Sequence, residues 1–152
     1  NFIDDIGLAA PLHDIGSLTI SDRILLKRGK LTPDEMTVMR THAEIGARTL
    51  TEVYRHNEFS RYLGMAIDIA YYHHEKWDGS GYPKGLKGKG IPMSARIFSL
   101  VDVYDTLTRD KCYRDAYTHD EAIEIIKEES GKSFDPGIVD IFMKILSGIR
   151  RN

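Results

Sequence analysis

The sequence predicts an all-α fold, and three observations lead to this expectation. Apolar residues recur at three- and four-residue spacing, as in Met36, Met39 and Ala43, which is the period of a helix with one buried face. Thr32 with Glu35 and Thr118 with Glu121 each have the pattern of the capping box that opens many helices. No segment shows the alternation expected of a half-buried strand. The 152 residues are a natural length for one domain.

The first helix is expected in the apolar segment that leads to His13 and Asp14, with Gly16 ending it. Residues 1–12 carry no clear start signal, so they resemble the end of a helix already under way. We therefore expect residues 1–152 to form one domain that lacks its N-terminal helix and belongs to a longer protein.

Three further helices are expected before residue 75. Ser21 caps a short helix, and Thr32 with Glu35 forms the capping box of a long one. Gly46 is expected to break or thin that long helix. Asn57 can cap the next helix, which leads to a pair of adjacent histidines.

The second half begins with a loop that holds five glycines between residues 78 and 90. Long ordered loops are often functional. Helices are then expected from Met93 to about Thr108, from Thr118 to Gly131 and from Asp135-Pro136 to about Leu146.

Composition excludes some functions. The formal net charge is -2, which argues against a general DNA binder with a basic surface. No apolar run is long enough to span a membrane, so a cytoplasmic location is expected, with any membrane anchor outside this segment. The single cysteine, Cys112, cannot form an internal disulfide and fits a reducing compartment.

A set of histidines and carboxylates indicates a metal site. Two adjacent histidines follow an apolar helix; neighbours on a helix point about 100° apart, so they cannot both face one core. They can, however, reach two metal ions at a helix end. Nitrogen and oxygen ligands suit divalent metals, and a helical bundle can bring them together. The candidate ligands are His13, Asp14, His42, His73, His74 and Asp102.

Each candidate has a structural alternative that the sequence leaves open. The adjacent histidines can be a surface pair. His42 lies on an apolar stripe, where a hydrogen-bonded core histidine is the commoner case. Asp14 can cap a neighbouring helix, and Asp102 can pair with Arg96 or Arg109.

Three other residues have weaker claims. Glu75 either supports a ligand histidine through a hydrogen bond or is solvated. His56 and His119 have no such context, and both are expected on the surface.

The motifs together resemble the HD-GYP family, a subgroup of the HD-domain metal-dependent phosphohydrolases. The resemblance extends in order over nearly the whole chain, and the run from His73 to Pro83 is its most specific part. The matching segments are His13-Asp14-Ile15-Gly16, residues 24–27 with 29–32, residues 41–47, His73-His74-Glu75 with Asp78-Gly79-Ser80-Gly81-Tyr82-Pro83, residues 85–88, residues 91–92 with 95–97, Asp102-Val103-Tyr104-Asp105 and Phe134-Asp135-Pro136.

The resemblance implies a bacterial signalling enzyme. It implies a helical bundle with two or three iron or manganese ions, which hydrolyses cyclic di-GMP to pGpG and in some members to GMP. A hydroxide that bridges two metal ions about 3.5–4 Å apart would attack phosphorus. The implied partners are a sensor or receiver domain in the full-length protein, GGDEF-domain proteins and a second copy in a homodimer.

The resemblance also implies roles for residues. The six candidate ligands become metal ligands, with His13 and Asp14 at the catalytic centre and Asp14 bridging. Lys111 and Arg114, with Lys27 as a weaker candidate, are expected to bind substrate phosphate. Tyr82 is expected to shape the pocket wall.

Three departures from the family pattern leave other readings open. The upstream helix with a further ligand histidine is absent, Ser17 replaces a common lysine, and Lys111-Cys112 replaces Arg-Pro. The alternatives are a catalytically degenerate HD-GYP domain that binds cyclic di-GMP or a signalling partner, and an HD phosphohydrolase for another nucleotide.

Overall fold

The computed structural model describes residues 1–56, 61–110 and 116–149. Within these ranges it holds no β-strand beyond an isolated bridge between Ser130 and Phe134, so the all-α prediction is confirmed. None of the described helices has the length and apolar character needed to cross a bilayer. The α-helices are α1 Phe2–Ala9, α2 Asp22–Leu25, α3 Pro33–Arg55, α4 Arg61–Tyr72, α5 Met93–Thr108, α6 His119–Glu128 and α7 Pro136–Ile149.

Side-chain caps mark the starts of α1, α3 and α6. The Thr32 hydroxyl accepts from the Glu35 backbone N–H, and the Glu35 carboxylate accepts from the Thr32 N–H at 2.8 Å. Thr118 and Glu121 form the same box at α6. The Asn1 side chain accepts two backbone N–H groups of the first turn of α1, a cap that the sequence analysis did not recognise. Each cap satisfies backbone donors that a helix start otherwise leaves unpaired.

Two expectations about glycines are wrong. Gly16 does not end the first helix, because α1 ends at Ala9 and a short 3-10 helix, Ala10–Leu12, follows it. Gly16 lies inside a second 3-10 helix, Ile15–Thr19. Gly46 neither breaks nor thins α3, which continues through it. Close packing, described below, explains both glycines. The expected cap Asn57 lies outside the described residues.

Residues 1–74 and 82–84 form one compact unit. In it, α3 packs against α4 and against the 3-10 helix Ile15–Thr19, and α1 packs against α4. Small residues on α3 let these elements come close, since a short side chain leaves room for a neighbouring backbone. The buried apolar residues of the unit are Ala9, Ile20, Ile24, Ala43, Ala47, Leu50, Leu63, Ala66, Ile69 and Ala70.

Residues 75–81 and those from 85 onward form a second compact unit. Its core joins α5, α6 and α7 through Leu100, Ile126, Phe134 and Val139. A part-buried ion pair closes one side, with Arg96 Nη1 2.6 Å from Asp135 Oδ2. The expected helices of this half are confirmed, with α6 ending at Glu128 before Gly131.

Candidate metal centre

A close backbone contact positions the turn that carries His13 and Asp14. Gly16 packs directly on α3: a Cβ placed there would lie 2.0 Å from the carbonyl oxygen of His42 and 2.6 Å from the backbone nitrogen of Gly46. No side chain can occupy that space. Glycine at position 16 therefore lets the turn approach α3 at the level of His42. This contact is the physical reason for both glycines.

Three histidines converge at this level. His42 and His73 are 4% and 5% exposed, and His74 is part-buried. Nitrogen atoms of the three rings all lie within 4.8 Å of one another, a grouping that could hold a metal ion. His73 continues the helical hydrogen bonding of α4, with its N–H 3.0 Å from the Ile69 carbonyl oxygen. Because the two adjacent histidines lie at the end of the helix, both rings reach the same centre, and they are not a surface pair.

Backbone carbonyls fix the orientation of three imidazoles. Nδ1 lies 2.9 Å from the Ala10 oxygen in His13, 2.7 Å from the Met39 oxygen in His42 and 2.9 Å from the Ile69 oxygen in His73. A carbonyl oxygen only accepts, so Nδ1 carries the proton and donates. Nε2 then carries the lone pair in the neutral ring. Ligand histidines are oriented by the same kind of hydrogen bond in metal sites.

The Asp14 carboxylate lies among these lone pairs. Its Oδ2 is 3.2 Å from His13 Nε2, and its Oδ1 is 3.4 Å from His42 Nε2 and 3.8 Å from His73 Nε2. His74 Nε2 lies 3.1 Å from His42 Nε2. The Nε2 lone pairs of His42 and His73 and the Asp14 oxygens repel one another unless a positive charge lies between them. The donor set therefore fits a cation with nitrogen and oxygen ligands.

Protonation states agree with this fit. When the His13 ring is protonated at both nitrogens, its hydrogen bond to Asp14 lowers the pKa of that carboxyl to about 2. Asp14 is ionised at neutral pH with either form of the His13 ring. Burial lowers the pKa of His73 to about 4 and that of His74 to about 3, so both rings are neutral there. Metal ions bind ionised carboxylates and neutral imidazoles. The unit thus holds its ligands in the form that binds metal.

Tyr82 covers one face of the cluster. Its ring stacks on His74 with centroids 4.7 Å apart and an interplanar angle of 21°, and its N–H donates to the His74 carbonyl oxygen. The guanidinium carbon of Arg40 lies 4.9 Å from the Tyr82 ring centroid. Burial raises the pKa of Tyr82 to about 12, so the hydroxyl stays protonated. The sequence analysis missed Arg40, whose only signal is its place two residues before His42.

Asp102 belongs to α5 in the second unit, where it is part-buried. The two arginines considered as its partners pair elsewhere: Arg96 with Asp135, and Arg109 with Asp105 at 2.9 Å. The role of Asp102 as a metal ligand remains a prediction.

Of the three predicted phosphate-binding residues, the structure describes only Lys27. Lys111 and Arg114 lie outside the described residues. Lys27 Nζ lies 2.5 Å from the Glu35 carboxylate, so its charge is already paired. A phosphate group would have to compete with that carboxylate, which weakens the case for Lys27. Ser17, where the family commonly has lysine, is part-buried in the 3-10 helix.

Glu75 is not solvated. It is 3% exposed, and its Oε2 accepts the Leu86 backbone N–H at 3.0 Å. A buried carboxylate with a backbone partner holds two ends of the glycine-rich loop together. His56 is exposed, as expected. His119 is part-buried instead, with Nδ1 2.5 Å from the Tyr104 hydroxyl oxygen.

The fold and the cluster together define a class: a helical protein with a histidine and carboxylate site suited to a divalent metal. The family model described as HD domain matches residues 2–138. The chain belongs to the HD domain family, and the resemblance inferred from the motifs is confirmed.

Relatives of known name are similar to nearly the whole chain. A cyclic di-GMP phosphodiesterase of Vibrio cholerae is 48% identical over 144 residues, which cover 95% of this chain and 29% of that protein. A probable cyclic di-GMP phosphodiesterase of the same organism is 50% identical over 142 residues, covering 93% of this chain and 32% of that protein. The chain therefore spans about a third of the length of these curated relatives.

A solved structure shares the fold. The crystal structure of a cyclic GMP-AMP-specific phosphodiesterase of V. cholerae matches with a TM-score of 0.68 and 22% identity. The match covers 96% of this chain and 38% of that one.

Proposed function

We propose that the chain is the catalytic domain of a metal-dependent phosphodiesterase that hydrolyses cyclic di-GMP to pGpG, with GMP as a further product. The observation that carries the proposal is the convergence of His42, His73 and His74 beside Asp14. Hydrolysis of a phosphate ester by a metal centre needs a donor set of this kind. The names of the two similar V. cholerae proteins support the choice of substrate.

The proposed ligands are His13, Asp14, His42, His73, His74 and Asp102, and the proposed metal is iron or manganese. A divalent metal ion bound there supplies a Lewis acid for the phosphoryl oxygens and a nucleophile derived from water. Asp14 offers two carboxylate oxygens, which suit a bridging position between two ions.

Other residues of the chain orient the ligand side chains and cover part of the site. Carbonyls of Ala10, Met39 and Ile69 hold three imidazoles in one tautomer, so the ligand atoms need little rearrangement. The Tyr82 ring covers His74 and limits access of water from that side. Its protonated hydroxyl is able to donate a hydrogen bond to a phosphate oxygen or a base.

Cationic side chains are proposed to hold the substrate anion. Lys111 and Arg114 are proposed for this role from the family pattern, and Lys27 is the weakest candidate because Glu35 already pairs with it. We place the domain in the cytoplasm, as part of a longer protein with a sensor or receiver domain. GGDEF-domain proteins and a second copy of the chain remain candidate partners.

The test is turnover by protein purified without air and loaded with iron or manganese. Cyclic di-GMP should be converted to pGpG, which chromatography separates from GMP and substrate. Cyclic GMP-AMP and a linear dinucleotide serve as comparison substrates. A filled metal site with no turnover of any of them would contradict the proposal and favour a degenerate binding domain. Faster turnover of another nucleotide would favour a different phosphohydrolase.

A further inference from the structure

Arg40 has an unusual position for a charged residue. It lies on α3, two residues before His42, and it is exposed. Its guanidinium carbon lies over the ring of Tyr82, 4.9 Å from the centroid. That ring in turn stacks on His74. The positive charge of Arg40 is thus separated from the histidine cluster by the Tyr82 ring, within the same compact unit.

No carboxylate neutralises this charge among the residues that the structure describes. The described ion pairs involve other cations, and Glu44, one turn further along α3, is not within ion-pair distance of Arg40. Lys27 differs from Arg40 in this respect, because its charge is paired with the Glu35 carboxylate. Of these two, Arg40 is the cation that keeps its charge available for an anion from solution.

The chemistry of the side chain fits a phosphodiester. A guanidinium group donates two parallel hydrogen bonds to two oxygens of one phosphate, while its other face can remain on an aromatic ring. The contact with Tyr82 orders the side chain before any ligand arrives. Ordering in advance reduces the entropy lost on binding.

We propose that Arg40 binds a phosphodiester group of the substrate, and that Tyr82 holds its guanidinium in place for that contact. This inference rests on the proposed function and deepens it, because it adds a substrate-binding residue to those that the motifs supply. A cyclic dinucleotide carries two phosphodiesters, so one can lie at the histidine cluster while Arg40 binds the other or a remaining oxygen of the first.

The chain offers a matched control for charge. Arg48 lies on the same helix, is exposed and likewise has no described carboxylate partner, but it makes no described contact with Tyr82. Arg40→Ala and Arg48→Ala therefore remove the same charge from the same helix. Arg40→Lys keeps the charge and loses the paired donors.

The experiment measures binding of a phosphorothioate analogue of cyclic di-GMP that resists hydrolysis, to the metal-loaded protein. Arg40→Ala should weaken binding by about tenfold or more, the usual effect of losing a charge-assisted contact. Arg40→Lys should lie between it and the parent protein, and Arg48→Ala should change binding by less than about twofold. Metal content should be equal in all four proteins. Equal binding by Arg40→Ala and Arg48→Ala would overturn the inference.

A second comparison excludes a purely structural role. If Arg40 only supports the Tyr82 ring, adding Arg40→Ala to the Tyr82→Leu variant should not weaken binding of the analogue further. That result would overturn the inference. We expect a further loss of binding of at least about threefold in the Tyr82→Leu background.

The proposed function and the inference about Arg40 can fail separately. A parent protein that binds the analogue but has no turnover refutes the proposed function, while the Arg40 comparison still decides the inference. A parent protein that does not bind the analogue refutes both.

Discussion

Two histidine environments in this molecule differ in chemistry: the part-buried His119 and the buried pair His42 and His73. His119 meets the Tyr104 hydroxyl at 2.5 Å, and its ring packs edge-on against that tyrosine. His42 and His73 direct Nδ1 to backbone carbonyls and leave Nε2 facing a carboxylate and other imidazoles. The first environment satisfies its histidine with a neutral partner. The second gathers lone pairs and negative charge that a cation would stabilise.

A ligand histidine and a core histidine are not distinguished by every feature of their surroundings. Burial alone does not distinguish them, since His119 is also partly closed to solvent. The direction of the second ring nitrogen does, together with the charge that it meets.

Replacing one histidine of each environment should separate them most strongly. His73→Ala should lower metal affinity and turnover by at least about a hundredfold, since loss of even a partner of a ligand costs 10- to 100-fold. His119→Ala should keep the metal content of the parent protein. Elemental analysis and cyclic di-GMP turnover measure both. Wild-type activity in His73→Ala, with the bundle folded by circular dichroism, would refute its place among the ligands.

Filling the space at Gly16 should disturb the cluster through the backbone. A Cβ at this position meets the carbonyl oxygen of His42 at 2.0 Å, so Gly16→Ala should lower the free energy of unfolding by about 3 kcal/mol or more. Gly7→Ala is the matched control, because nothing lies within 4 Å of the added methyl group. It lies inside α1 and should stabilise the protein by about 0.5–1 kcal/mol. Urea unfolding compares the two, and equal stabilities would contradict the close contact.

The pH dependence of stability should also come from the cluster. Burial lowers the pKa of His73 to about 4 and of His74 to about 3 in the folded protein. The unfolded chain takes up these protons near pH 6.5, so it binds more protons than the folded chain between pH 6.5 and about 4. Stability is therefore present above pH 6.5 and lost as pH falls through this window.

The measurement is urea unfolding of metal-free protein between pH 7.5 and 4.5. The free energy of unfolding should fall by about 1 kcal/mol or more for each pH unit below 6.5. His74→Gln removes one of the titrating groups and should flatten the curve. A curve of the same slope in this variant would mean that His74 is protonated in the folded protein.

The smallest effect is expected from Tyr104→Phe. Removing the hydroxyl takes away the described partner of His119 Nδ1 and should cost about 1 kcal/mol of stability. It should leave the metal content unchanged. Thermal unfolding and elemental analysis are sufficient for this comparison, and loss of metal would show that the second unit affects the ligands more than the local contacts indicate.

Much of this account could be predicted from the sequence where the signal is local. The capping boxes at Thr32 and Thr118 predicted the starts of α3 and α6, because a cap depends on residues three apart. The grouping of His42, His73 and His74 was predicted from motifs, and the structure brings them together. The burial of Glu75 could not be predicted, because it depends on a hydrogen bond from Leu86 across a loop. The spacing of residues in the sequence does not show the path of that loop.

Other features depended on contacts between distant segments. The sequence analysis took Gly16 as a helix end, since glycine often has that role. Its real function, a close approach to the backbone of α3, involves a residue 26 positions away, His42. Arg40 was missed for the same reason, because its contact is with Tyr82 in the glycine-rich loop. Local patterns do not contain such pairings.

The central claim is that the histidine cluster binds a divalent metal. The most direct measurement is elemental analysis of protein purified without air and dialysed after exposure to Fe²⁺ or Mn²⁺, scaled per chain. We expect at least one ion per chain in the parent protein and in His119→Ala, and well under one in His73→Ala. Folded parent protein that retains no metal, or a His73→Ala variant that retains as much as the parent, would contradict it.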